Sequence, residues 1–226
     1  MTKMPAFVTF TGLDEMTDLE RVAEISQRWH VEWGILFSEA KQGRDRRYPS
    51  EHWIRNSVPI LMDDGVRLAA HVCGAYSRKI MEDCEMIPLD FTGFRRIQVN
   101  HGKPTATGYE TFARNLSLRR PNAPSVIVQC RGEFPADYRQ RLYDPSGGRG
   151  ERQTEWPAHP GKDMLVGYAG GIDPDCCVEV VQKISDATEK WQGHYWIDMD
   201  SGVRTDNWLD LDKCETVLQR VGNSRG

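Results

Sequence analysis

The sequence has no long apolar run, and this absence excludes several classes of protein. A membrane-spanning helix needs about 18 or more consecutive apolar residues, and the sequence contains no such run. The first residues, Met1–Pro5, also lack the apolar core of a secretory signal peptide. We therefore expect a cytoplasmic protein that makes no contact with a membrane.

Basic residues are not in excess, and paired cysteine motifs are missing. The formal net charge is −4, whereas binding to a nucleic acid backbone relies on clustered Lys and Arg, so we expect no nucleic acid partner. The six cysteines form no CxxC pair and are expected to be reduced thiols. They are Cys73, Cys84, Cys130, Cys176, Cys177 and Cys214.

Patterns typical of metal centres are weak, and we expect neither a metal nor a cofactor. The acidic residues close to the C-terminal glycines, Asp198 and Asp200 among them, are interpreted as turn and cap residues.

Short β-rich runs alternate with helical patterns along the 226 residues, which favours a parallel sheet with crossover helices. Eight strands at roughly 28 residues per unit predict an α/β fold, a (β/α)8 TIM barrel, formed by one domain over residues 1–226. The predicted strands are Ala6–Thr11, Val31–Phe37, Arg67–Val72, Arg95–Val99, Pro124–Gln129, Gln140–Tyr143, Asp163–Tyr168 and His194–Ile197. The predicted helices are Thr17–Trp29, one that begins near Ser50, Ala75–Cys84, Thr107–Leu116, Pro174–Ile184 and Asp210–Val221.

Two glycine-bearing turns close the last two predicted strands, Gly170–Gly171 and Ser201–Gly202. In a TIM barrel, the loops after strands 7 and 8 expose backbone N–H groups that bind phosphate. Arg204 adds a cation to this predicted site, whereas Asp200 would repel a phosphate by about 1–4 kcal/mol at close range. A phosphorylated small molecule is therefore the expected ligand, and monomer and homodimer both stay open.

Several segments resemble phosphoribosylanthranilate isomerase, an enzyme family of tryptophan biosynthesis. The resemblance spans nearly the whole chain and is strongest after the sixth predicted strand. The matching segments are Phe10–Leu13, Arg47–Ser50, Gln98–Asn100, Leu142–Gly150, Ala169–Pro174, Ile197–Val203 and Asp210–Lys213.

This resemblance implies an Amadori rearrangement, in which an aminoaldose is opened and isomerised to an aminoketose. It maps the general acid onto Asp144 and the cation that grips the substrate carboxylate onto Arg47, whose planar fork suits a carboxylate. Gln98 matches the family's strand-4 glutamine and is expected to bind substrate. Arg149, set among glycines, is expected to fold over the ligand.

The general base departs from the family pattern, because Thr11 stands where the family has a strand-1 cysteine. A hydroxyl is a far weaker acid than a thiol, so threonine is a poor replacement. Cys73 and Cys130 fall at the catalytic ends of predicted strands and are alternative thiols. Further base candidates on neighbouring loops are Glu133 and His101.

Three hypotheses follow from the sequence. The first is an isomerase of a phosphorylated aminosugar. The second is a catalytically inactive barrel that binds a phosphorylated metabolite or nucleotide. The third is a different barrel enzyme, a lyase or an epimerase, whose base is Cys73, Cys130 or Glu133.

Overall fold

Eight parallel strands close into a barrel in the computed structural model, which describes residues 2–120, 122–135, 138, 140–161, 163–188 and 193–222. The predicted TIM barrel is confirmed. Each strand pairs with the next one along the chain, and β8 pairs with β1 to close the ring, with Val8 opposite Ile197. The strands are β1 (Val8–Thr11), β2 (Val31–Phe37), β3 (Leu68–Val72), β4 (Phe94–Val99), β5 (Ser125–Cys130), β6 (Gln140–Tyr143), β7 (Leu165–Ala169) and β8 (His194–Met199).

Among the described residues, six α-helices cover the outside of the barrel. Four of them begin at the acidic or hydroxyl residues that favour helix starts: Asp18, Ser50, Thr105 and Asp210 each accept a hydrogen bond from a backbone N–H in the first turn. No helix follows β5 or β6 in the described residues. The helices are α1 (Leu19–Arg28), α2 (Glu51–Asp63), α3 (Ala75–Met81), α4 (Ala106–Arg119), α5 (Cys177–Thr188) and α6 (Leu211–Val221). None of these described helices is both long and apolar enough to cross a lipid bilayer.

A small excursion between β8 and α6 was not predicted from the sequence. A single 3-10 turn over Ser201–Val203 leads into a hairpin of β9 (Arg204–Thr205) and β10 (Trp208–Leu209). Asp206 and Asn207 connect these strands with φ angles of 51° and 67°. Asn and Asp tolerate this left-handed conformation better than other side chains do, which permits a two-residue hairpin turn.

Strand residues alternate between the helix-facing core and the barrel interior, as parallel barrels require. The helix-facing side is apolar, with Phe10, Trp33 and Ile197 fully buried. The interior contains a second apolar cluster, Ile127, Leu142, Ala169 and Trp196, and also a buried ion pair between Arg96 of β4 and Glu32 of β2, with Nη2 2.5 Å from Oε1. The barrel interior therefore holds a charged pair as well as apolar side chains.

Candidate active site

A cavity of about 390 Å³ opens at the carboxyl ends of the strands. This end of a TIM barrel carries the active site in characterised enzymes of the fold. The strands or the first residue beyond them supply Thr11, His71, Gln98, Asp144 and Asp198 to its lining. The structure therefore brings predicted and unpredicted polar residues together in one site.

Asp198 lies within β8 and is the most strongly perturbed acid of this cavity. Its side chain is 4% exposed, and burial raises its pKa from the ordinary value of 3.8 to about 7. Thr11 Oγ1 donates a hydrogen bond to Asp198 Oδ1 at 2.7 Å, which partly opposes that rise. A carboxyl with a pKa near neutrality can both take up and release protons at physiological pH. Thr11, rather than being a base itself, orients this carboxyl.

His71 of β3 lies on the other side of Thr11, with both ring nitrogens 3.4–3.5 Å from Thr11 Oγ1. Gln98 Nε2 donates to His71 Nδ1 at 3.0 Å, so we assign the ring proton to Nε2. Burial, with a smaller contribution from the Arg96 charge, lowers the pKa of His71 to about 3. The imidazole is therefore neutral at physiological pH and serves as a fixed hydrogen-bonding group.

Gly34 makes the contact between His71 and Thr11 possible, although their strands β1 and β3 are separated by β2. A Cβ added at Gly34 would lie 2.9 Å from His71 Nε2 and 2.9 Å from Thr11 Oγ1. Only glycine leaves this space free, because any other residue would place a carbon between the two side chains.

The substitution Gly34→Ala is expected to separate His71 from Thr11. Overpacking a rigid interior costs about 1–3 kcal/mol, and we expect a loss of that size in the free energy of unfolding, measured in urea. Gly132→Ala is the matched control, since a Cβ at Gly132 meets nothing within 4 Å. Equal stability of the two variants would contradict the role assigned to Gly34.

Asp144 follows β6 and accepts hydrogen bonds at both carboxylate oxygens. Gln129 Nε2 donates to Oδ2 at 2.6 Å and Ser146 Oγ donates to Oδ1 at 2.7 Å. The backbone N–H groups of Gly147 and Gly148 donate at 3.1 Å and 2.8 Å. The side chain thus organises the turn that follows it and also faces the cavity.

The two candidate thiols occupy different environments. Cys73 lines the cavity, where Asn100 Nδ2 donates to its sulfur at 3.3 Å, and burial raises its pKa above the ordinary value. Cys130 is outside the cavity lining, and burial raises its pKa to about 11. Arg131, the next residue along the chain, does not offset this rise. Both thiols are protonated near neutral pH and are poor bases in this state.

The loop candidates Glu133 and His101 lie outside the cavity lining. Glu133 is exposed, and His101 Nε2 pairs with Glu82 at 2.9 Å.

The glycine turns reach the cavity as expected, with Gly170, Gly171, Ser201 and Gly202 in its lining. Gly170 and Gly171 have φ angles of 126° and 64°, which favour glycine. In the part of the chain that the structure describes, the N–H groups of Gly171, Ser201 and Gly202 donate to no other protein group. These three donors are available to an anion.

The segment after β6 packs against these turns from outside. A Cβ added at Gly171 would lie 2.3 Å from Arg152 Cα, and one added at Gly150 would lie 2.9 Å from Ser201 Cβ. The loop backbone therefore forms the outer wall of the site.

The Arg204 side chain points away from the cavity, whereas a residue that binds phosphate would point into it. Its guanidinium donates to the carbonyl of Gly12 at 3.0 Å and lies 3.4 Å from Asp14 Oδ2. Arg204 Nε also donates to Asp200 Oδ1 at 2.6 Å. The side chain joins the end of β1 to the end of β8 and neutralises Asp200, which lessens the repulsion that this carboxylate would exert on a phosphate.

The other two predicted arginines differ in their distance from the cavity. Arg47 lines it, with Nη1 3.4 Å from Asp200 Oδ2 and 3.3 Å from Ser201 Oγ, so it lies beside the glycine turn after β8. Arg149 is exposed, pairs with Glu151 at 2.7 Å and is not in the cavity lining.

Sequence reasoning missed the roles of Asp198 and His71. Asp198 was interpreted as a turn residue, yet it lies inside β8 with its side chain in the barrel. The available signal was its position within an apolar strand, at an even spacing from Trp196, another residue of the barrel interior. His71 carries the same signal in β3, since it alternates with the core residues Ala70 and Val72.

Comparisons with known proteins agree with this fold. No protein-family model matches the sequence, and no curated protein matches it. Among solved structures, N-(5'-phosphoribosyl)anthranilate isomerase from Pyrococcus furiosus is similar with a TM-score of 0.58 and 16% identity, over 96% of this chain and 98% of that one. Phosphoribosyl anthranilate isomerase from Thermococcus kodakaraensis is similar with a TM-score of 0.56 and 16% identity, over 96% and 99% of the two chains. KGPDC from Streptococcus mutans follows with a TM-score of 0.51 and 10% identity, over 99% and 100%. The chain thus shares the TIM-barrel fold of phosphoribosylanthranilate isomerases.

Proposed function

We propose that the protein is an isomerase that converts a phosphorylated aminoaldose into the aminoketose. The observation that carries the proposal is Asp198, a buried carboxyl with a pKa of about 7 in the same cavity as a set of free backbone N–H donors. The carboxyl supplies proton transfer, and the N–H donors supply an anion site. Isomerisation of a sugar phosphate requires both a proton-transfer group and a phosphate site.

Asp198 takes the role of base in place of a strand-1 thiol. In the ring-opened iminium, Asp198 removes the proton from C2, the electron pair of that C–H bond forms the C1=C2 bond of an enaminol, and the π electrons of the C=N bond return to nitrogen. The enaminol becomes the ketone when its hydroxyl proton passes to solvent and C1 takes the proton that Asp198 removed from C2. Because C1 and C2 are adjacent, one carboxyl can carry a proton between them, and a pKa close to the working pH suits both directions. The Thr11 hydrogen bond orients the carboxyl for this transfer.

Asp144 is the proposed acid for the ring oxygen. Its carboxyl faces the cavity and is held in place by four hydrogen bonds, and in its protonated form it would donate to the ring oxygen. Protonation of the ring oxygen then lets the C1–O bond break as the nitrogen lone pair forms the iminium.

The test is turnover of N-(5'-phosphoribosyl)anthranilate by the purified protein, together with growth rescue of a tryptophan auxotroph that lacks the isomerase. We expect the wild-type protein to support both and Asp144→Asn to lose about 10²–10⁴-fold in kcat, the usual contribution of a general acid. Asp175→Asn is the control, since its side chain is 90% exposed. Absence of turnover by the folded wild-type protein would count against this substrate.

A binding protein on the same scaffold is the second candidate. The observation that favours it is Thr11, which cannot supply the strand-1 thiol. Thermal stabilisation by a phosphorylated sugar without chemical change of that sugar would support this candidate over the isomerase.

A further inference from the structure

Arg131 follows β5 and lies at the mouth of the cavity, where it contributes to the lining. Its guanidinium is seated between two glycines from neighbouring connections. A Cβ added at Gly102 would lie 3.1 Å from Arg131 Cζ, and one added at Gly147 would lie 2.6 Å from Arg131 Nη2. The exposed side chain of Arg131 therefore passes close to the backbone of both glycines, where larger residues would displace its guanidinium.

Within the described part of the chain, Arg131 differs from Lys41 and Arg47, the other cations of the cavity, in having no partner. Lys41 Nζ lies 3.5 Å from Asp45 Oδ2, and Arg47 lies 3.4 Å from Asp200. Among the described residues, Arg131 makes neither a hydrogen bond nor an ion pair with a protein group. Its five N–H donors are therefore available to a ligand.

We propose that Arg131 binds a second oxyanion of the ligand, at the end opposite the phosphate. The proposal rests on the proposed phosphate site and assigns the second anionic group of the ligand to a residue on the loop after β5. The position around the barrel separates the two groups: the glycine turns follow β7 and β8, whereas Arg131 follows β5, two strands from β7 and three from β8 in the closed ring. The planar fork of a guanidinium matches a carboxylate or a phosphate with two parallel hydrogen bonds.

This assignment departs from the expectation for Arg47. Arg47 Nη1 lies 3.3 Å from Ser201 Oγ and its Nε donates to Asn207 Oδ1 at 2.7 Å. Arg47 therefore lies on the phosphate side of the cavity. Arg131 is the remaining cation that can bind the second anionic group of the ligand.

The test compares the binding of three sugar phosphates by calorimetry at fixed ionic strength. Glucose 6-phosphate carries one anionic group, 6-phosphogluconate carries a phosphate and a carboxylate, and fructose 1,6-bisphosphate carries two phosphates. We expect wild-type protein to bind at least one of the doubly anionic ligands about 10-fold or more tightly than glucose 6-phosphate, as charge-assisted bidentate bonds imply. Which of the two is preferred distinguishes a carboxylate from a phosphate at Arg131.

Substitutions at Arg131 separate this inference from the phosphate site. Arg131→Gln should abolish the preference for doubly anionic ligands while leaving the affinity for glucose 6-phosphate unchanged, and Arg131→Lys should restore part of the preference. Arg114→Gln, at an exposed position on α4, is the matched control and should bind like the wild type.

The outcomes are distinct. Equal wild-type affinities for all three ligands, or a preference that survives Arg131→Gln, would overturn the role of Arg131 while the phosphate site stands. No binding of any of the three would overturn the phosphate site and, with it, the role of Arg131.

Discussion

Replacing Asp198 with asparagine is expected to lower kcat by about 10²–10⁴-fold, the usual contribution of a positioned general base. Asparagine has the same shape and still accepts the hydrogen bond from Thr11, so the cavity keeps its geometry. It cannot take up a proton at C2, however. Steady-state kinetics should therefore show a loss in kcat with a much smaller change in KM, since substrate binding does not depend on this proton.

The same substitution is expected to stabilise the folded protein above pH 7. The pKa of Asp198 is raised from 3.8 to about 7 in the folded chain. Below pH 3.8 the carboxyl is protonated in both the folded and the unfolded chain, so it does not change the free energy of unfolding. Between these two values the unfolded chain loses its proton first, so wild-type stability falls as the pH rises. At about 1.4 kcal/mol per pKa unit, the loss above pH 7 amounts to roughly 4 kcal/mol, and Asp198→Asn removes it.

Urea unfolding at pH 4 and at pH 8 measures this difference. The advantage of Asp198→Asn over the wild type should be small at pH 4 and large at pH 8. Asp175→Asn, whose side chain is exposed, should show no such trend. A constant difference between Asp198→Asn and the wild type at both pH values would show that burial does not perturb this carboxyl.

The fold was predictable from the sequence because each barrel unit carries a local signal. The β2 and β6 boundaries agree with the predicted residues, and the Ser50 cap begins α2 as expected. The boundaries of the other strands differ by one or two residues, since strand ends depend on hydrogen bonds to neighbouring strands that local sequence does not encode.

The site was less predictable because its properties arise between strands. Asp198 has its unusual pKa only because eight strands exclude water around it, and the contact between His71 and Thr11 depends on the space that Gly34 leaves on the intervening strand. The direction in which Arg204 points depends on the unpredicted hairpin of β9 and β10. Contacts between residues that are far apart in the sequence cannot be predicted from local sequence motifs.

Substituting Arg204 with methionine is expected to give the largest loss of stability among the variants considered. The Arg204 side chain is 3% exposed and Asp14 is fully buried. Removing one partner of a buried ion pair costs about 3–5 kcal/mol, because the remaining charge is left without compensation. Urea unfolding should show this loss, whereas Arg220→Met, which breaks an exposed pair with Asp175, should cost about 1 kcal/mol or less.

The double variant Arg204→Met, Asp14→Asn tests the cause of that loss. Asparagine removes the uncompensated charge yet still accepts the hydrogen bond that Leu209 N donates to this side chain at 2.7 Å. Part of the lost stability should therefore return, which would not happen if Arg204 acted only by filling space. Arg204 also donates a hydrogen bond to the carbonyl of Gly12, the residue after Thr11. We therefore expect the folded Arg204→Met protein to have a lower kcat than the wild type. If Arg204→Met unfolded at the same urea concentration as the wild type, the ion pair with Asp14 would not stabilise the fold, and Arg204 would be available to bind the ligand.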